Sequence, residues 1–232
     1  MELDIRAALR SSLIDYPGKI AMVLFLNRCN FRCPFCHNPE LAKGTASEKQ
    51  IPPKEILSYL ESREKWLDGV CITGGEPTLH EGLPEFCGMV KGKGFLVKLD
   101  TNGTNPRMLK ELIENRLVDY LAMDIKSSPE SYGAAAGVKA DLAAIGESIS
   151  LIRGSGIPHE FRTTVVPGLF DAKTAEKIGK WLDGSEKYVL QQFNPNSLLL
   201  DDKYMEKQPY SPDELENFRE IISKYVKACE IR

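Results

Sequence analysis

Short apolar, β-branched runs alternate along the chain with stretches whose apolar residues return every three or four positions. The runs at residues 20–27, 70–73, 95–100, 120–126, 160–166 and 188–193 have the length and composition of strands in a buried parallel sheet. Between them, helical stripes are traced by Ile56, Leu57 and Leu60, by Met108, Leu109, Leu112 and Ile113, by Leu142, Ile145, Ile149 and Ile152, and by Ala175, Ile178 and Leu182. A last helix is predicted from Ser211, with Pro212 in its first turn, Glu214 completing a capping box, and Leu215, Phe218, Ile222 and Tyr225 facing inward. Six strand–helix units result. Parallel strands joined by right-handed crossovers make an open doubly wound sheet or a barrel, and six units are too few to close an eight-stranded barrel. The expected architecture is α/β, a partial (β/α)6 barrel with parallel strands and a lateral opening. It is read as one domain over residues 1–232, because no linker or fixed repeat interrupts it.

Charge changes this picture little. Lys and Arg number 30 against 33 Asp and Glu, a net −3, and no block of like charge points to a nucleic-acid or membrane partner. The N-terminus, Met1-Glu2-Leu3-Asp4-Ile5-Arg6, lacks signal-peptide flanks, and the most apolar run, 20–26, is too short to span a bilayer, so a cytoplasmic protein is expected. Six cysteines, three of them within eight residues, do not resemble an evenly spread disulfide framework and point instead to metal.

Those three lie directly after the first predicted strand, in Cys29-Asn30-Phe31-Arg32-Cys33-Pro34-Phe35-Cys36-His37-Asn38. An iron–sulfur cube that only carries electrons takes four cysteines, whereas Cys71, Cys87 and Cys229 are scattered singly and read as small buried hydrophobes. Three thiolates on one loop leave one iron open, as catalytic metal sites do. The alternative is zinc with His37 as the fourth ligand. Against it, Cys36 and His37 are adjacent and reach one tetrahedral ion together only with difficulty, and zinc sites usually pair two ligand-bearing segments.

The spacing of Cys29, Cys33 and Cys36, with Phe35 before the last, resembles the signature of the radical S-adenosylmethionine superfamily. The wider stretch Leu13-Ile14-Asp15-Tyr16-Pro17-Gly18-Lys19-Ile20, then Phe25, then Cys29 through His37-Asn38-Pro39-Glu40, is similar to the activating enzymes of glycyl-radical proteins, and most of all to activators of anaerobic ribonucleoside-triphosphate reductase. The resemblance implies a 4Fe-4S cluster on Cys29, Cys33 and Cys36 and S-adenosyl-L-methionine as the second cofactor. Residues 42–69 contain no cysteine, so a single cluster is expected.

Polar motifs follow the next strands. In Thr73-Gly74-Gly75-Glu76-Pro77, two glycines allow close backbone approach, and Glu76 can accept from an ammonium. The segment resembles the family's Gly-Gly-Glu-Pro motif, which receives the methionyl amino group. Asp100-Thr101-Asn102-Gly103 and Asp124-Ile125-Lys126 match further segments of the activating enzymes, though in isolation the first is an ordinary turn and the second a surface ion pair. As the match implies, Asp100, Asn102, Asp124 and Lys126 meet the cofactor, with a cation conceivable between the two aspartates. Arg162 and the Val166 backbone are placed along the cofactor by likeness to the family's Arg-x-Val-Val-Pro-Gly region. Where pyruvate formate-lyase activators have Tyr-His, this chain has Phe193-Asn194, which favours the ribonucleotide reductase type. His80, read as opening a helix, and His159 are expected at the surface without a role.

The function implied is reductive cleavage of S-adenosylmethionine and radical formation on a glycine of a partner enzyme, with a flavodoxin- or ferredoxin-like electron donor. Pyruvate formate-lyase is the alternative partner. Two other classes remain, a radical enzyme acting on a free metabolite and a metal module without catalysis.

Overall fold

In the computed structural model, which describes residues 3–196 and 198–232, the six predicted runs are six adjacent parallel strands. They are the inner members of an eight-stranded sheet in chain order: β1 (Ile5–Ser12), β2 (Ala21–Leu26), β3 (Gly69–Gly74), β4 (Leu96–Thr101), β5 (Tyr120–Asp124), β6 (His159–Val165), β7 (Lys187–Gln192) and β8 (Ala228–Ile231). Only β1 runs antiparallel, pairing Ile5 with Leu26 and Ser12 with Ala21. The sheet stays open, with β1 and β8 at its edges.

Those two edge strands were not expected. β1 alternates half-exposed and exposed residues around Arg6 and Arg10, and β8 is four mostly exposed residues. Neither carries the apolar run that marks an inner strand, and their pairing energy comes from a neighbour already in place.

The helices are α1 (Pro39–Lys43), α2 (Pro53–Ser62), α3 (Leu83–Gly92), α4 (Pro106–Glu114), α5 (Tyr132–Ala136), α6 (Leu142–Gly154), α7 (Ala172–Trp181) and α8 (Pro212–Ile222). Local chemistry sets their starts. Asn105, Asp141 and Asp171 accept from backbone amides in the first turns of α4, α6 and α7, and the Ser211–Glu214 capping box forms at α8. Each of the six strands β2 to β7 is followed by a helix of nine or more residues. Their apolar stripes, such as Leu109 and Leu112 or Ile145, Ile149 and Ile152, are buried in one core with Val70, Ile72, Val97, Leu99 and Leu121. Tyr225 lies beyond α8, not on it, and is half-buried.

Both histidines expected at the surface are buried. His80 follows a short 3-10 turn (Pro77–Leu79), before α3 begins, and its Nε2 lies 2.8 Å from the Asn27 carbonyl. His159 opens β6 and packs edge-on against Phe161. Cys71 and Cys87 are buried as expected, whereas Cys229 on the edge strand is only half-buried. Among the described residues no helix is long and apolar enough to cross a membrane.

Candidate functional site

Parallel strands deliver their C-terminal ends to one side of the sheet, and there a single cavity of ≈ 240 Å³ gathers the motifs. Its lining includes Cys29, Cys33, Cys36 and Phe35 from the loop after β2, Gly74, Gly75 and Glu76 after β3, and Asp100 and Asn102 at the end of β4. It also includes Asp124 at the end of β5, Lys126 two residues beyond it, and Arg162 from β6. Of the expected residues only Val166 is not brought there. Its carbonyl is taken by the amides of Leu169 and Phe170, because the chain turns away after β6. Thr164, two residues earlier, lines the cavity instead, as the two-residue period from Arg162 requires. Strand periodicity alone could have found it.

The cysteine loop holds its shape through its own backbone. The Arg28 and Cys29 amides donate to Leu41 and Ala42 of α1, the Arg32 amide donates to Ala136 of α5, and the Arg32 guanidinium reaches back to the Cys29 and Phe31 carbonyls. Gly74, the last residue of β3, and Gly75 also make room for this loop. A Cβ on Gly74 would lie 2.3 Å from the Leu26 amide nitrogen, and one on Gly75 would lie 1.9 Å from the Arg28 carbonyl oxygen. Both positions need glycine for the close approach of the root of the cysteine loop, and both line the cavity.

Glu76 also has a structural part. It is 1% exposed, and its carboxylate accepts from the Thr78 amide and hydroxyl, from Thr101 Oγ1 at 2.7 Å and from the Asn102 amide at 2.6 Å. Oε1 takes three of these donors and Oε2 one, so Glu76 ties the end of β3 to the end of β4, and as part of the cavity lining it keeps acceptor capacity on Oε2. Asn102 continues the tie. Its side-chain amide donates to Asn30 at 2.8 Å and approaches Cys29 Sγ at 3.8 Å, while its oxygen accepts from Thr104. A donor aimed at a ligating sulfur is a means of tuning a cluster.

Burial, reinforced by the charge of Glu76, pushes the Cys29 thiol up to about 12, and burial raises Cys33 as well. Such thiols stay protonated until a metal displaces the proton. Among the described residues no three His, Cys, Asp or Glu side chains converge on one ion position.

On the facing wall, charges alternate across three strand ends. Lys98 pairs with Asp100, Asp100 accepts from Arg162 Nη2 at 3.0 Å, Arg162 Nε donates to Asp124, and Asp124 accepts from Lys126 Nζ at 2.8 Å. The guanidinium of Arg162 lies between Asp100 and Asp124 and pairs with both. Burial, which by itself would raise the carboxyls, is outweighed by Arg162 with Lys98 at Asp100 and by Arg162 with Lys126 at Asp124, and both are held low. A carboxyl depressed by folding stabilises the fold at pH above its unfolded value, about 3.9, and loses that contribution as pH falls through the folded value. The unfolding temperature of Asp124→Asn should therefore lie below wild type at neutral pH, and the gap should narrow below about pH 4. A gap independent of pH would contradict the pairing. Lys126→Ala should keep the cluster yet weaken cofactor binding by about 1.5–3 kcal/mol, one charged contact, as measured by anaerobic titration.

The segment 13–19 does not reach this cavity. Because β1 is antiparallel, the Ser12–Ala21 pair lies at the end of the sheet opposite to the cysteine loop. Tyr16 turns inward there, while Leu13 and Ile14 face solvent. Asn194 is also outside the lining. Its carbonyl lies 3.0 Å from His37 Nε2 and its side chain accepts from the Asn196 amide, so it braces the cysteine loop from the end of β7.

Residues 23–179 match the sequence profile of the Radical SAM superfamily. The chain is 34% identical over 226 residues to a Methanocaldococcus jannaschii protein assigned by name to the glycyl-radical enzyme activating enzymes, covering 95% of this chain and 92% of that one. It is 34% identical over 131 residues to a pyruvate formate-lyase-activating enzyme of Listeria monocytogenes, about half of each chain (51% and 52%). The fold is shared with SuiB of Streptococcus suis, solved bound to S-adenosylmethionine, at TM-score 0.66 and 12% identity over 88% of this chain and 48% of that one. A superfamily profile over most of the chain and a near full-length relative carry the same conclusion as three thiols on one strand-end loop: the chain belongs to the radical S-adenosylmethionine superfamily, among the glycyl-radical enzyme activating enzymes, which work with a 4Fe-4S cluster and S-adenosylmethionine.

Proposed function

We propose that this enzyme places a glycyl radical on anaerobic ribonucleoside-triphosphate reductase, with Cys29, Cys33 and Cys36 as cluster ligands and the β4, β5 and β6 ends as the cofactor wall. The observation that carries the site assignment is that three thiols and an ion-pair row face each other across one cavity. The cluster that Cys29, Cys33 and Cys36 would hold would supply one electron for reductive cleavage of S-adenosylmethionine, and the cofactor would supply the hydrogen-abstracting chemistry. The chain's own residues bind and exclude. Phe31 and Phe35, both buried, supply apolar cover over the cysteine loop, and Arg162 and Lys126 offer donors to an anionic or hydroxyl group of the cofactor. The open sheet edge suits delivery of a glycine-bearing loop by a partner polypeptide. A flavodoxin- or ferredoxin-type donor in a reducing cytoplasm, and a single domain over the chain, complete the reading.

The choice of partner rests on Asn194 standing where pyruvate formate-lyase activators have histidine. The Listeria relative favours pyruvate formate-lyase instead. One experiment separates them. Each candidate partner, deuterated at the glycine α-carbon, is incubated anaerobically with the reconstituted enzyme, reductant and cofactor. Label in 5′-deoxyadenosine together with a glycyl radical signal from the reductase supports the proposal. Label only from pyruvate formate-lyase reassigns the partner, and turnover of a free metabolite with neither moves the enzyme to the small-molecule class.

A further inference from the structure

Lys98 belongs to no motif, yet it is 2% exposed and lies in the middle of β4, directly behind the cavity wall. Its ammonium pairs with Asp100, lies 3.7 Å from Cys71 Sγ and sits 6.0 Å from the centroid of the Tyr120 ring. Tyr120 in turn packs at 5.9 Å against Tyr16, the inward residue of segment 13–19. A continuous column, Tyr16, Tyr120, Lys98, Asp100, Arg162, therefore runs from the far end of the sheet to the cavity. Segment 13–19 closes the floor beneath Lys98 through Tyr16 and Tyr120 and does not line the cavity.

A buried ion pair adds little net stability over apolar residues of the same volume, so its consequence is to be sought in geometry. Lys98 takes one oxygen of Asp100 and leaves the other to Arg162 Nη2. With Nε on Asp124, the guanidinium is held at two points, and Nη1 has no protein partner among the described residues. The members of the row that line the cavity, Asp100, Asp124, Lys126 and Arg162, are two carboxylates and two cations, and Lys98 adds one cation behind them.

We propose that Lys98 is a positioning residue for S-adenosylmethionine, clamping Asp100 so that Arg162 and Lys126 keep their free donors aimed into the cavity. This rests on the reading that the cavity receives that cofactor.

The test is a double-mutant cycle of Lys98→Met and Asp100→Asn on the anaerobically reconstituted enzyme. Cofactor affinity is measured by titration, iron content by analysis, and thermal unfolding on the metal-free chain. Lys98→Met should keep the iron content of wild type and weaken cofactor binding on the order of tenfold, whereas Lys98→Met added to Asp100→Asn should weaken it no further. Lys98→Gln, which keeps a donor to Asp100, should recover most of the affinity without the charge. If Lys98→Met does not fold, Lys98→Ala takes its place in the cycle, with the same supporting and overturning results. Binding by Lys98→Met equal to wild type, the same loss of affinity in both backgrounds, or affinity that simply follows the unfolding temperature across all variants would each overturn the proposal. Wild-type enzyme that binds no S-adenosylmethionine would overturn the reading beneath it.

Discussion

Alanine in place of any one of Cys29, Cys33 and Cys36 is expected to abolish the cluster and all production of 5′-deoxyadenosine, while the metal-free chain remains folded. Two thiolates do not retain a cube, so iron after anaerobic reconstitution should fall from about four per chain to near zero. The fold should survive because the loop is held by backbone bonds to α1 and α5 and by the Arg32 guanidinium, none of which uses a thiol side chain. The unfolding temperature without metal should thus change little. Cys71→Ala and Cys87→Ala act as controls with the opposite signature. Both residues are fully buried away from the cavity lining, so each substitution should lose about 1 kcal/mol of packing and keep the iron. Any cavity-cysteine variant that still binds four irons and cleaves the cofactor would remove that cysteine from the ligand set.

Glu76→Gln is expected to damage the enzyme almost as much as Glu76→Ala, although it preserves size and removes only a charge. The Thr78 and Asn102 amides donate to different oxygens of the carboxyl group. A carboxamide keeps one acceptor and turns an NH2 group toward the other amide, so one buried donor is left facing another. Alanine strands the Thr78 and Asn102 amides, while the Thr78 and Thr101 hydroxyls can rotate away. At about 1–3 kcal/mol for each unsatisfied buried amide, the loss is about 2–6 kcal/mol for alanine and somewhat less for glutamine. In a chain of this length that is a fall of roughly 10 °C in unfolding temperature. The site should suffer too, because Glu76 positions Asn102, whose side-chain amide reaches Asn30 and Cys29. Iron retention should drop in step with stability, a pattern distinct from Lys126→Ala, where only cofactor affinity moves. A Glu76→Gln enzyme that binds cofactor tenfold more weakly at unchanged unfolding temperature would instead mean that the carboxylate meets the ligand directly.

The inner sheet was legible because its signal is local. The strand face packed against the helices must be apolar at every second position, and Val70, Ile72, Val97, Leu99, Leu121 and Met123 are. Five of the helices facing it announced themselves through their stripes, and α8 through its cap as well. α3 was read only from its start, set at His80 and so three residues early, and its stripe, Leu83, Phe86, Cys87 and Val90, went untraced. The burial of His80 and His159 was not legible, since one polar contact to a distant carbonyl or the edge of one ring decides it.

By itself the sequence determined the succession of strand and helix, the three-thiol loop and the acidic and basic residues at the strand ends, because each depends on residue type and short spacing. Only the tertiary structure decided what those residues do to one another. Gly74 and Gly75 are needed where two backbones nearly touch, Glu76 joins two strands, and Arg162 pairs with two aspartates. Segment 13–19 lies at the far end of the sheet and reaches the cavity only through Tyr120 and Lys98. These are contacts between residues 20 to more than 100 positions apart in sequence, made when parallel strands bring their ends to one side, and no local pattern encodes which partner a buried charge or amide will meet.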